Sequence, residues 1–246
     1  MDSTAARPQL IASKLVGESW SFLKGHLVSL ASAAAFPLGL SLLIGVAFLA
    51  VTNDDSSSEV VASAQSLLDV LPWTIFGVAW HRLILSGEPA SVSVRWSRNH
   101  TRFALFLLAW RVPYLLVAMP EQRSDSVGLL LLIFFMATIA LSYVEARFSL
   151  FLPAAAIAQP ISPRDAWSQS RGYGGAIFWA GVLSAILCLL LCIPLLAATV
   201  LLQQHSSAAA ELALVPINCA MQLVFEALAV GALSFAYKAI HARAAA

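Results

Sequence analysis

The chain has 246 residues, of which 60% are apolar and only 11% charged, with a formal net charge of +1. Water-soluble domains carry about 25% charged residues, so a chain this apolar is read as having lipid for most of its solvent. A secreted disulfide framework is excluded, because Cys188, Cys192 and Cys219 all lie inside apolar runs.

The stretch from Met1 to Arg7 has no apolar segment of the signal-peptide kind, and the apolar run that follows is long, so it is read as a retained helix. A helix needs about 20 residues to cross the hydrocarbon core. Runs at 27–51, 62–85, 103–119, 127–148, 174–202 and 212–237 are continuous and apolar. They predict an all-α polytopic membrane protein with six transmembrane helices and argue against an alternating-strand barrel. Placing both termini in the cytoplasm puts 12 of the 14 Lys and Arg residues inside and leaves the outer loops acidic or neutral. That is the positive-inside pattern, and it points to a multi-pass protein of a bacterial inner membrane.

Each pair of runs is preceded by the same phrase, Trp-Ser-x-x-basic. It occurs at Trp20 to Lys24, Trp96 to His100 and Trp167 to Arg171, with spacings of 76 and 71 residues. The chain therefore reads as one membrane domain, 1–246, made of three tandem repeats at about 8–85, 86–148 and 160–240. Each repeat is a helical hairpin with a short interfacial amphipathic helix ahead of it, and a pseudo-threefold axis along the membrane normal is the expected relation. In the first of these short helices Ile11, Leu15, Val16, Trp20 and Leu23 share one face, and Ser13, Lys14, Gly17, Glu18, Ser21 and Lys24 the other. The second is expected to open after Gly87-Glu88-Pro89. The third has a start signal: Ser162 as N-cap, Pro163 at the first position and Asp165 three residues on. Trp20, Lys24, Trp96, Arg98, Trp167 and Arg171 are expected to meet anionic lipid or a membrane-protein partner at the cytoplasmic leaflet.

Charge inside a membrane span costs about 2.5–3.5 kcal/mol on insertion scales and needs a reason. Arg111 lies nine residues beyond Arg102 and Glu226 twelve before Lys238, which places both near the midplane, where they could pair. Asn218, Gln222 and Glu226 follow at intervals of four and are expected to face the bundle interior. Asp69, just before Leu71-Pro72, is placed near the outer interface, and Glu145 and Arg147 at the cytoplasmic end of the fourth span. Cys188 and Cys192, one turn apart, suit a soft metal in principle, but apolar packing is the expected role. No metal site, cofactor, catalytic residue or phosphate loop is expected. The spread of basic residues along one membrane face speaks against nucleic acid as a partner.

Two stretches carry a family resemblance. One runs Val78-Ala79-Trp80-His81-Arg82-Leu83-Ile84-Leu85-Ser86-Gly87-Glu88. The other runs from Ala146-Arg147-Phe148-Ser149-Leu150-Phe151-Leu152-Pro153-Ala154 to Ala166-Trp167-Ser168-Gln169-Ser170-Arg171-Gly172. Together they resemble the YciC-like bacterial inner-membrane proteins and the related membrane domain attached to some glycerophosphodiester phosphodiesterases. The resemblance implies a six-span fold and a lipid-related setting. It implies no enzymatic activity here, since the phosphodiesterase residues belong to a separate soluble domain. Two functions follow as expectations: a non-enzymatic scaffold or accessory factor for a membrane or envelope complex, or a small-solute transporter or lipid-handling protein using the polar midplane.

Overall fold

The computed structural model describes residues 10–51, 58–89, 96–118, 127–204 and 208–242. Among them all regular structure is helical: α1 (Ala12–Gly25), α2 (Leu27–Val51), α3 (Ser58–Leu68), α4 (Val70–Ser86), α5 (Arg98–Ala118), α6 (Val127–Phe148), α7 (Phe151–Ala156), α8 (Pro163–Gln169), α9 (Gly174–Leu191), α10 (Ile193–Gln203) and α11 (Ala208–His241). By length and composition, three stretches among the described residues can cross a membrane: Leu27–Ala50, Gly174–Leu191 and Leu212–His241. They belong to the first, fifth and sixth expected spans.

Helix α11 is the packing partner shared by α1, α2, α4, α7, α9 and α10. One of its approaches depends on a small residue. At Gly231 a Cβ would collide with Ser19, whose hydroxyl donates to the Leu228 carbonyl at 2.9 Å and ties α1 to α11. Helix α1 therefore does more than lie in a headgroup plane. Its Leu15, Val16 and Leu23 are buried in the bundle, while Lys14, Gly17, Ser21 and Lys24 stay exposed. Burying each of those apolar side chains contributes about 1.5–3 kcal/mol. On the opposite side the Trp80 indole donates to the Ala227 carbonyl at 3.1 Å and fixes α4 against α11.

Two expected spans are interrupted. The second breaks at Asp69 into α3 and α4, next to Pro72, which has no N–H to give its preceding turn. The fifth breaks at Cys192, ahead of Pro194 at the start of α10. Prolines 37, 113 and 216 lie inside α2, α5 and α11, which continue through them. The second lead-in segment falls largely at residues 90–95, outside the described residues, and Gly87 closes α4 in the left-handed region at φ 68.

The third lead-in forms as its sequence dictates. Ser162 caps α8 by accepting from the Asp165 amide at 3.1 Å, and the Asp165 carboxylate accepts from the Ser162 amide at 3.2 Å. These bonds to Ser162 hold the Asp165 carboxyl below the usual carboxylate range. A depressed acid stabilises the fold only while ionised, so this cap is lost as pH falls through its folded value. Gly172, at φ 88, then turns the chain from α8 into α9.

Helix α7 was not expected. After Phe148 the chain makes one turn and continues as a six-residue helix wedged between α4 and α5, with Ala154, Ala155 and Ala156 wholly buried. Aromatic contacts run antiparallel along α5: Phe106 stacks on Phe151 at 5.4 Å, and Trp110 meets Phe148 at 6.0 Å. Together α6 and α7 thus form one long return arm. Arg82 at the end of α4 donates to the Ala156 carbonyl at 2.7 Å and pins the arm's far end.

Candidate polar layer

The return arm changes where the charged residues fall. Val78, Phe103, Leu152 and Ala156 form one apolar layer, with Leu233 of α11 packed against it. From that layer Asp69 lies nine residues back along α4, and Arg111 eight residues forward along α5. Glu145 lies seven back from Leu152, and Glu226 seven back from Leu233. At 1.5 Å per residue, Asp69, Arg111 and Glu226 stand roughly 10–14 Å from the apolar layer along their helices, and Glu145, beyond the turn at 149–150, is tied to the helix of Arg111 through Tyr114. Four elements therefore deliver one guanidinium and three carboxylates to a second, polar layer.

Tyr114 links α5 to α6: its hydroxyl donates to Glu145 Oε2 at 3.0 Å and accepts from Ser142 Oγ at 2.9 Å. With one phenolic proton, Tyr114 can donate to only one of the two, so Ser142, Tyr114 and Glu145 make a directed chain.

Arg111 and Glu226 were expected to pair. They share a layer, but the ion pair within 4.0 Å among the described residues is Lys14–Glu18, on the exposed face of α1. Arg111 makes no ion pair within 4.0 Å with any of the three acids among the described residues. Gln222 is half-buried, but Asn218 is exposed, contrary to the expected inward stripe. Residues four apart drift about 40° around a helix, which carries Asn218 off the face that holds Glu226. Asp69 and Glu145, which the sequence places near opposite interfaces, lie on elements packed around Arg111's helix, and Arg147, two residues beyond Glu145, binds Trp167 and Ser170 at the third lead-in. Tyr114 and Ser142 were missed, although each stands three residues from a charged member, on the same helical face.

At the basic end of the bundle, Lys24, Arg98 and Arg171 are exposed, as expected for groups meeting headgroups or a partner. The tryptophans differ in surroundings. Lys24 sits 5.3 Å above the Trp20 ring, and His100 lies 5.4 Å from Trp96. Those are the fifth residues of their own phrases. Trp167 is covered by Arg147 at 4.1 Å, not by Arg171. His100 is shifted down by burial and then by the charge of Arg82, so near neutral pH it adds no charge to this face.

A second buried polar pair lies on α4 and α11. His81 is wholly buried, with Nδ1 2.7 Å from Ser234 Oγ. Ser234 donates its proton to the Val230 carbonyl at 2.8 Å, so His81 must donate through Nδ1–H. Its Nε2 has no partner among the described residues. No group of three or more His, Cys, Asp or Glu side chains fit to hold a metal occurs among the described residues. No family model, curated protein or solved structure matches this chain.

Proposed function

We propose that this chain is a six-pass, non-enzymatic protein of a bacterial inner membrane, with both termini cytoplasmic, whose polar layer binds protons or a small cation in moving a solute across the bilayer. The observation that carries this reading is one guanidinium and three carboxylates at similar heights along neighbouring helices, with no ion pair within 4.0 Å between them among the described residues. If all are ionised the layer has a formal charge of −2. Uncompensated charge in a low-dielectric interior costs several kcal/mol per ion. Bound protons or a cation remove that cost, and the chain from Ser142 through Tyr114 to Glu145 offers a proton path. A purely structural ion pair needs neither the excess acid nor the loose geometry. Apolar helices around ionisable residues are the usual setting of proton and ion routes.

Proteoliposomes with a trapped pH dye test this. An imposed pH gradient is expected to collapse faster with the protein present, and Glu226→Gln is expected to slow that flux at least about 10-fold, the scale set by 1.4 kcal/mol. Flux no faster than in empty liposomes, or a Glu226→Gln variant as fast as wild type, sinks the reading.

A second reading is favoured by the exposed Lys24, Arg98 and Arg171: an accessory protein whose basic face grips anionic lipid, in keeping with the resemblance to YciC-like proteins. Each cation near an anionic surface contributes about 1 kcal/mol. Changing all three to Gln is therefore expected to lower anionic-lipid affinity about 100-fold. Native mass spectrometry after detergent exchange counts the retained lipid, and equal retention by the triple variant and wild type contradicts this role.

A further inference from the structure

The break between α9 and α10 brings two thiols together. Cys188 and Cys192 are 9% and 3% exposed, and their sulfurs are 3.8 Å apart. On a regular helix, side chains four apart start from Cβ atoms about 5–6 Å apart, so both thiols turn toward one point. Cys192 is the junction residue itself, with φ −91 and ψ 4, and Pro194 begins the next helix. Facing them on α11 is Met221, whose carbonyl lies 3.5 Å from the Cys188 sulfur and whose side chain packs against the same buried cluster. Two thiols, one on α9 and one at its junction with α10, thus meet beside Met221 of α11 in one apolar place. Cys219, the remaining cysteine, lies within the electrostatic reach of Asp69 instead.

We propose that Cys188, Cys192 and Met221 form a buried site for one thiophilic monovalent ion of the Cu(I) class. Soft thiolate and thioether donors select such ions over hard cations. With metal–sulfur bonds of about 2.3 Å, a 3.8 Å sulfur separation subtends about 110° at the ion. A linear two-coordinate ion would need the sulfurs about 4.6 Å apart, so the observed spacing leaves a third position open on the side of Met221. Both thiols give up their protons to solvent as the ion enters, because the thiolate is the metal ligand. Occupied, the site holds one monovalent cation between two thiolates, a formal charge of −1. No electron is transferred. This inference is independent of the polar layer.

Silver(I), which is redox-inert and of the same class, is the probe. The full chain, purified reduced in nanodiscs, is titrated with Ag(I) against a competing chelator. Metal content is read by elemental mass spectrometry, and proton release in weakly buffered solution. The expected result is one ion bound and two protons released per chain, with both buried thiols protected from a membrane-permeant maleimide. Cys188→Ser and Cys192→Ser are each expected to abolish stoichiometric binding, Met221→Leu to weaken it about 10-fold, and Cys219→Ser to leave it unchanged. Gel filtration and melting of the ion-free variants establish that they are folded. If a serine variant does not fold, Met221→Leu, which keeps both thiols and the bulk of the side chain, decides alone. The proposal is overturned by less than one bound ion per chain, by binding that survives in a folded Cys188→Ser or Cys192→Ser variant, by loss on Cys219→Ser, or by wild-type affinity in Met221→Leu.

Discussion

Replacing Arg111 by Gln is expected to destabilise the bundle by about 3–5 kcal/mol, the cost of leaving a buried charge without its partner. Asp69, Glu145 and Glu226 would then face one another with no cation in the layer. The effect is asymmetric. Glu226→Gln replaces an acid that has no close cation partner by a neutral side chain of the same shape, so its expected cost is below about 1 kcal/mol, in the range of ordinary substitutions. The double variant Arg111→Gln with Glu226→Gln should recover part of the loss, with a coupling of about 0.5–3 kcal/mol. Denaturant unfolding in mixed micelles measures all three. An Arg111→Gln variant as stable as wild type would mean that the acids do not depend on its charge. A Glu226→Gln variant as damaged as Arg111→Gln would point to a tight structural pair.

The second large effect is expected at Arg147. Its Nε donates to Ser170 Oγ at 2.8 Å, its Nη2 to the Trp167 carbonyl at 2.8 Å, and its guanidinium plane covers the Trp167 ring at 4.1 Å. A Cβ added at Gly174 would strike its side chain, so the start of α9 is shaped around it as well. Hydrogen bonds to charged groups contribute about 1.5–3 kcal/mol each, and a cation over a ring about 0.5–2. After discounting for partial exposure, Arg147→Ala is expected to cost about 3 kcal/mol and to free the segment 157–173 for proteolysis. Arg147→Lys should restore little, because an ammonium cannot hold two acceptors and stack in one plane. Cleavage of that segment at the wild-type rate in Arg147→Ala would contradict this role.

The uninterrupted elements were legible before any coordinates. The bounds of α2 match the first apolar run, and the Ser162-Pro163-Arg164-Asp165 start signal produced its cap, because both depend on neighbours in sequence. What was not legible depends on tertiary packing. Pro153 reads as a stop after the fourth run, yet it sits inside α7, where a six-residue helix survives only because α4 and α5 bury it. What the sequence does not show is the link from Glu145 to Tyr114, which ties α6 to the helix of Arg111. Asp69 shifted for a similar reason, since its depth follows from the packing of Gly77 against Phe103, where a Cβ would lie 2.7 Å from the ring. Helical phase explains Asn218, which spacing alone placed with Glu226.

The shared depth of the four charged residues is tested most directly by spin labels on exposed side chains beside them. Leu68 flanks Asp69, Val112 flanks Arg111, and Tyr143 lies two residues from Glu145; they are 44%, 48% and 41% exposed. Labels at these three positions in bilayers are read by their relative collision rates with oxygen and a water-soluble nickel complex, with a label at Ile11 of α1 as the interfacial reference. The expected result is one depth for all three, agreeing within about one helical turn, 5.4 Å. A label at Tyr143 reading headgroup depth, like that at Ile11, would return Glu145 to the interface and dissolve the polar layer.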